Sequence, residues 1–202
     1  MDKFRNEIGN SLLRLPYKGK ILFAALTIEK LYPNYIAFED RRSWGNHLVL
    51  SEGISLIYQY LIKEDLFTDK EIKELINNID VITPDTDDFP GILTSFALDA
   101  CTSILDTLQF IIDKDDKHII NVSIYARDTV DMFIQEREDM NSLDPSIEIQ
   151  IEHDNFMIEE KARQKLLIEA LLNTNLEVIT DQLLDKLRNN KPIIDLSLLS
   201  NL

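Results

Sequence analysis

Glycine, cysteine and histidine are all scarce in this chain, with five, one and three copies among 202 residues. So few glycines leave little material for the positive-φ turns of β-hairpins. They also exclude a glycine-rich phosphate loop, because Gly53 and Gly91 stand alone. The single Cys101 cannot form an intramolecular disulfide. It falls on an apolar helical arc, where a small buried residue is expected rather than a nucleophile, which needs a nearby base and a partly exposed thiolate. His47, His118 and His153 are scattered, and neither CxxC nor HExxH occurs, so no metal centre and no cofactor is expected. Long apolar runs are missing as well. The longest, Ile21–Leu26, falls far short of the roughly 20 residues that span a bilayer. Met1–Asn10 is polar and lacks the pattern of a secretory leader. No membrane association is expected, and the cytoplasm is the expected location.

Basic charge is the other shortfall. Lys and Arg number 21 against 36 Asp and Glu, a net charge of −15. Such a surface repels nucleic-acid phosphates, and the densest basic stretches, Arg41-Arg42 and Lys186–Lys191, are too small for a nucleic-acid footprint. An acidic surface suits solubility or a basic protein partner.

What the chain does contain is helical periodicity. The stretch around which the rest is organised runs from Pro84 to Asp113. From residue 91 onward Ile92, Leu93, Phe96, Ala97, Ala100, Cys101, Ile104, Leu105, Leu108 and Ile111 cover more than half of a helix circumference. A helix so apolar must be packed on several sides. Thr86, Asp87 and Asp88 lie upstream, where their acceptors and charge suit the free N–H groups of a helix start. Before it, Asp2–Arg14 reads as a helix ended by Pro16. Gly19–Tyr32 reads as another stopped by Pro33, with Tyr32-Pro33-Asn34-Tyr35 as a turn. Phe38, Trp44 and Gly45 follow in an irregular stretch, where Trp44 is expected to fill a gap between helices. Asn46–Ile62 is helical again, and the capping box Thr68-x-x-Glu71 opens a helix to Ile79. After the central helix, one helix runs from Asp115-Asp116 to about Met140 and another from Asp144-Pro145 to Leu172. Ser146–Glu152 alternates like a strand, but the start signal and the lack of a partner strand favour helix. A second capping box, Thr174-x-x-Glu177, predicts a last helix to about Arg188. The chain reads as one all-α domain over 1–202, a compact set of roughly eight helices around a central apolar helix near residues 91–113. Residues 191–202 form a C-terminal packing arm.

Carboxylates are the available raw material for chemistry. Asp99, Asp106 and Asp113 share one stripe of the central helix, but seven residues of helix is about 10.5 Å, too far for two of them to share an ion. Asp85, Asp87 and Asp88 resemble the oxygen-rich start of a calcium loop without its glycine or its closing Glu, so helix capping explains them better.

Two blocks carry a family resemblance. Glu29, Tyr32-Pro33-Asn34-Tyr35, Phe38 and Gly45 form the first; Asp87-Asp88-Phe89 with Ala97-x-Asp99-Ala100-Cys101 form the second. Val122-Ser123 with Thr129-Val130 is a weaker third. In this order and spacing the chain resembles the YjaG-like bacterial proteins, domain of unknown function 416, from about Lys20 to Leu172. The resemblance implies a compact all-helical cytoplasmic domain and brings no activity, substrate or cofactor. Arg41-Arg42-Ser43-Trp44 departs from the family's more usual Thr-Gly-Phe-Gly. Glu29 and Asp99 match family positions that lie on helices, where they serve either as acceptors for neighbouring helix ends or as a carboxylate pair in a pocket.

Two readings of function follow. In the first, this is a non-enzymatic protein–protein interaction domain whose negative surface attracts a basic partner; a toxin-neutralising immunity protein is one concrete form. In the second, it is a small-ligand or metal-binding enzyme using Glu29, Asp99, Asp87 and Asp88.

Overall fold

The computed structural model describes residues 3–141, 143–189 and 191–199. Among the described residues there are nine α-helices and no strand. In order they are α1 (Lys3–Leu12), α2 (Tyr17–Arg42), α3 (His47–Ile62), α4 (Asp69–Val81), α5 (Ile92–Asp113), α6 (Lys117–Arg137), α7 (Ile147–His153), α8 (Asn155–Leu172) and α9 (Asp181–Leu187). Short 3-10 turns lie at Glu64–Leu66 and Leu196–Leu198.

The expected central helix is α5. Phe96, Ala97, Cys101, Ile104 and Leu108 have no exposed surface, and Ala100 only 1%. Its heaviest packing is on α2 and α6, with α4 and α3 closing further sides. By length and composition α5 is the one described helix apolar enough to cross a membrane. Here its apolar arc is spent on neighbouring helices. The approach of α3 depends on Gly53, where a Cβ would come within 2.8 Å of Ile104 Cγ2 and 3.0 Å of Ile79 Cδ1.

Several local signals act as expected. Thr68 and Glu71 form a reciprocal capping box at the start of α4. Asn46 caps α3 by accepting the Leu48 N–H at 3.1 Å. Residues 147–172 are helical, although Asp154 divides them into α7 and α8. Its backbone is extended and its carboxylate accepts the Phe156 N–H at 2.8 Å, a new N-cap.

Three expectations are overturned. Pro33 does not stop a helix, for α2 runs through it for 26 residues. The missing N–H costs about 3 kcal/mol, but each buried apolar side chain contributes roughly 1.5–3 kcal/mol. Leu31, Tyr35 and Phe38, all with no exposed surface, flank the proline and hold the helix on course. The helix ends instead at Ser43, in the left-handed conformation. Second, Thr86, Asp87 and Asp88 do not cap α5. Its N-cap is Gly91, with φ of 117° and no side-chain bond, while Asp85 accepts the Asp87 N–H within the loop at 2.8 Å. Third, Thr174 closes α8 by donating to the Ala170 carbonyl at 2.7 Å. The last helix, α9, begins later, where Thr180 accepts the Leu183 N–H. Of the predicted arm, residues 200–202 lie outside the described residues; Ile194 and Leu199 are buried.

Trp44 packs with Phe38 and Phe89, ring centroids 4.9–6.1 Å apart, and joins the end of α2 to the loop before α5.

Replacing Ile104 by Ala should cost about 2–5 kcal/mol in denaturant unfolding, the range for a packed core site, and Thr68→Ala about 1 kcal/mol. A cost below roughly 1 kcal/mol for the first would contradict multi-sided packing of α5.

Candidate functional site

The carboxylates singled out by sequence fall in three separate environments. Asp87 and Asp88 are exposed on the loop between α4 and α5. That loop is fixed by Arg42, whose guanidinium donates to the Pro90 carbonyl. Nearby, Tyr35 donates its hydroxyl to the Ile82 carbonyl at 2.8 Å and accepts the Asn46 N–H at 3.1 Å. Gly45, at φ of 113°, lies against that same hydroxyl, which explains its place in the first sequence block: a Cβ there would sit 2.5 Å from the oxygen.

Glu29, on α2, faces the C-terminal segment. Its Oε1 lies 2.9 Å from Arg188 Nε, and the Arg188 guanidinium stacks over the Tyr58 ring at 4.1 Å. Arg188 and Tyr58 line a cleft of about 340 Å³ together with Ser51, Ser55 and Asp181.

Asp99, on α5, faces α6, where Thr129 Oγ1 donates to its Oδ2 at 2.7 Å. Burial pushes this carboxyl up from 3.8 to about 7; the Thr129 bond works against the shift and the Asp128 charge adds to it. Glu29 and Asp99 have different partners, Arg188 just beyond α9 and Thr129 on α6, and neither lines any of four clefts around the bundle. Among the described residues no group of three or more His, Cys, Asp or Glu side chains is placed to hold a metal ion.

Two polar clusters were not legible in the sequence. The first joins Asp106 and Asp113, the pair judged too far apart to share an ion. His118, on α6, bridges them with Nδ1 2.6 Å from Asp106 and Nε2 3.1 Å from Asp113. Asn121 donates to the other Asp106 oxygen at 3.1 Å and accepts from Arg5 of α1 at 2.8 Å. Both imidazole nitrogens are engaged, which makes this a three-helix clamp rather than an acid–base dyad with a free nitrogen. In sequence, His118 stood nearer Asp116, which pairs instead with Lys20 at 2.6 Å. The second cluster is buried between α6 and α8. Arg163 donates twice to Glu160, both at 2.6 Å, while Gln164 donates to Glu160 at 2.8 Å and to the Ser123 carbonyl at 3.0 Å. Its signal was faint, since nothing in the spacing of Glu160, Arg163 and Gln164 along one helix separates a buried polar face from a solvated one.

The largest of the four clefts, about 770 Å³, lies between α1, α6, α7 and α8 and is lined by both signs of charge, among them Lys3, Glu7, Arg127, Asp131, Glu152 and Lys161. Its cations are already matched: Glu7 is 3.8 Å from Lys3 and 3.5 Å from Lys165, and Lys161 is paired with Glu152.

Fold and polar clusters together define an all-α bundle whose interior carboxylates tie helices to one another. The chain belongs to the family described as Protein of unknown function (DUF416), which matches residues 7–197. It is similar in structure to a DUF416 family protein from Shewanella baltica OS155, with a TM-score of 0.78 and 27% sequence identity over 93% of this chain and 91% of that one. No curated protein matches it.

The Asp99 geometry has a pH consequence. A carboxyl whose folded pKa exceeds its unfolded value supports folding fully below the unfolded value, and that support is lost as pH rises through the folded one. The window is therefore from pH 3.8 to about 7. Asp99→Asn keeps the shape and removes the charge. The stability of the natural protein relative to this variant should fall by about 2–4 kcal/mol between pH 4 and pH 8, measured by urea unfolding. A pH-independent difference would contradict a buried, late-titrating Asp99.

Proposed function

We propose that this protein is a non-enzymatic interaction domain of the cytoplasm that binds a basic protein partner, a toxin-neutralising immunity protein being one form. The observation that carries this reading is how the carboxylates divide. Those inside or half-inside the fold are engaged: Glu29 with Arg188, Asp99 with Thr129, Asp106 with His118, and Glu160 with Arg163, while the exposed Asp113 takes the other nitrogen of His118. The exposed remainder, including Asp85, Asp87 and Asp88, gives an acidic surface to a chain whose net charge is −15. Such a surface accelerates encounter with a positive partner. The single cysteine, free and buried, suits a reducing compartment.

One observation favours the second reading. Asp99 is the carboxyl whose proton affinity lies near neutrality, as a general acid or base requires. An enzyme built on it would need a ligand cavity at Asp99, and Asp99 is not among the residues lining the clefts described above.

The test is affinity capture from the native cytoplasm at low salt, followed by kinetics with the purified partner. The partner should be basic, and its association should slow by at least about tenfold between 50 and 500 mM salt. Asp87→Asn with Asp88→Asn should slow association by a few fold at low salt and leave dissociation nearly unchanged. A neutral or acidic partner, or a salt-independent association rate, would remove the electrostatic reading.

A further inference from the structure

Residues 188–189 and 191–199 are attached to the bundle by both apolar and polar contacts. Ile194 and Leu199 are buried and Ile193 and Leu196 pack half-buried against the core, while the polar fastenings converge on two consecutive residues of α2. Arg188 pairs with Glu29 and stacks on Tyr58. Lys30 Nζ donates to the carbonyls of Asn189 at 3.3 Å and Lys191 at 2.9 Å. The Lys30 carbonyl in turn accepts the Ile193 N–H at 3.1 Å.

The helix surface at Glu29–Lys30 offers this segment one main-chain acceptor, the Lys30 carbonyl, beside the Glu29 carboxylate and the Tyr58 ring. The strap borders two clefts. One, of about 340 Å³, includes Arg188 and Tyr58, and the other, of about 290 Å³, includes Lys30, Arg163 and Ile193. A segment bordered by open space, with two side chains buried and most of the others exposed or half-buried, is the kind that opens locally while the core stays folded.

Each feature of the seat selects a ligand property. A carboxylate beside an aromatic face selects a guanidinium. A main-chain acceptor selects an extended segment with a free N–H, as in strand-type peptide capture. The hole filled by Ile194 selects an aliphatic side chain on the residue after that N–H, six residues beyond the arginine.

We propose that the described residues 188–189 and 191–199 form a displaceable strap, occupying in cis a peptide site on α2 and α3 that an extended, arginine-containing segment of a partner protein takes in trans. The incoming arginine replaces Arg188 between Glu29 and Tyr58, and one main-chain N–H replaces that of Ile193 on Lys30. The identity of the incoming segment rests on the basic-partner reading above; the strap itself does not.

Native-state hydrogen exchange on the full chain tests the strap. The Ile193 and Ile194 amides should exchange at least about tenfold faster than those of Ile104 and Leu108, through a separate opening. Arg188→Ala should speed the strap amides by a further factor of about ten and leave α5 unchanged. Exchange of the strap and α5 at one common rate, moved together by the substitution, would overturn the proposal. Should Arg188→Ala prove unstable, Ile194→Ser is expected to give the same pattern.

The trans site is tested with a labelled synthetic peptide of the sequence of residues 186–199, added to full-length Arg188→Ala protein. Saturable binding that is lost on adding Glu29→Gln supports it, and absence of binding overturns it. If a peptide carrying Glu in place of its arginine binds equally well, the basic partner falls while the exchange result still stands for the strap.

Discussion

Burial of α5 is the constraint on which the remaining structure depends. A helix with Phe96, Ala100, Ile104 and Leu108 almost wholly removed from water must be enclosed, and a few parallel neighbours cannot cover more than half its circumference without close approach. Gly53 supplies that approach on α3, and the length of α2 supplies it on another side. The same constraint explains why α2 tolerates Pro33. Breaking the helix there would expose Tyr35 and Phe38, whose burial outweighs the lost hydrogen bond.

The narrow polar stripe of α5 then has to meet its neighbours, and there the carboxylates find their partners. Asp99 meets Thr129, while Asp106 and Asp113 meet His118. These contacts join α5 to α6 at successive levels. They supply direction where apolar packing alone would let one helix slide along another. Paired groups inside a fold can be costly relative to apolar replacements, and their return is a defined register. The buried Glu160–Arg163–Gln164 cluster does the same between α6 and α8.

Much of this was legible in the sequence. The apolar arc of residues 91–113 pointed to the central helix, Thr68-x-x-Glu71 to the start of α4, and Asp144-Pro145 to helix where local alternation suggested strand. The misreadings share a physical cause: each used a local signal whose outcome was decided by tertiary contact. Pro33 is a helix breaker until both sides of it are buried. Thr174-x-x-Glu177 fits a capping box, but the Thr174 hydroxyl is taken by the Ala170 carbonyl. Asp87 and Asp88 are spaced to cap α5, yet Gly91 turns the chain before they reach it. As for the site, Glu29 and Asp99 were identified, but not that one faces the C-terminal segment and the other α6. The bridge from His118 to two aspartates seven residues apart needed a second helix, which no spacing along one segment reveals.

At the centre of the account is the claim that the interior carboxylates of this bundle hold helices rather than ligands. Thermal unfolding with and without Mg²⁺, Mn²⁺ or Zn²⁺, on the natural protein and on Asp99→Asn, tests it most directly, because an ion bound only by the folded state must raise its stability. At about one hundred times its dissociation constant the rise would be about 2.7 kcal/mol. The account predicts the same midpoint with and without each metal in both proteins. A metal-dependent rise in the natural protein that disappears in Asp99→Asn would contradict it.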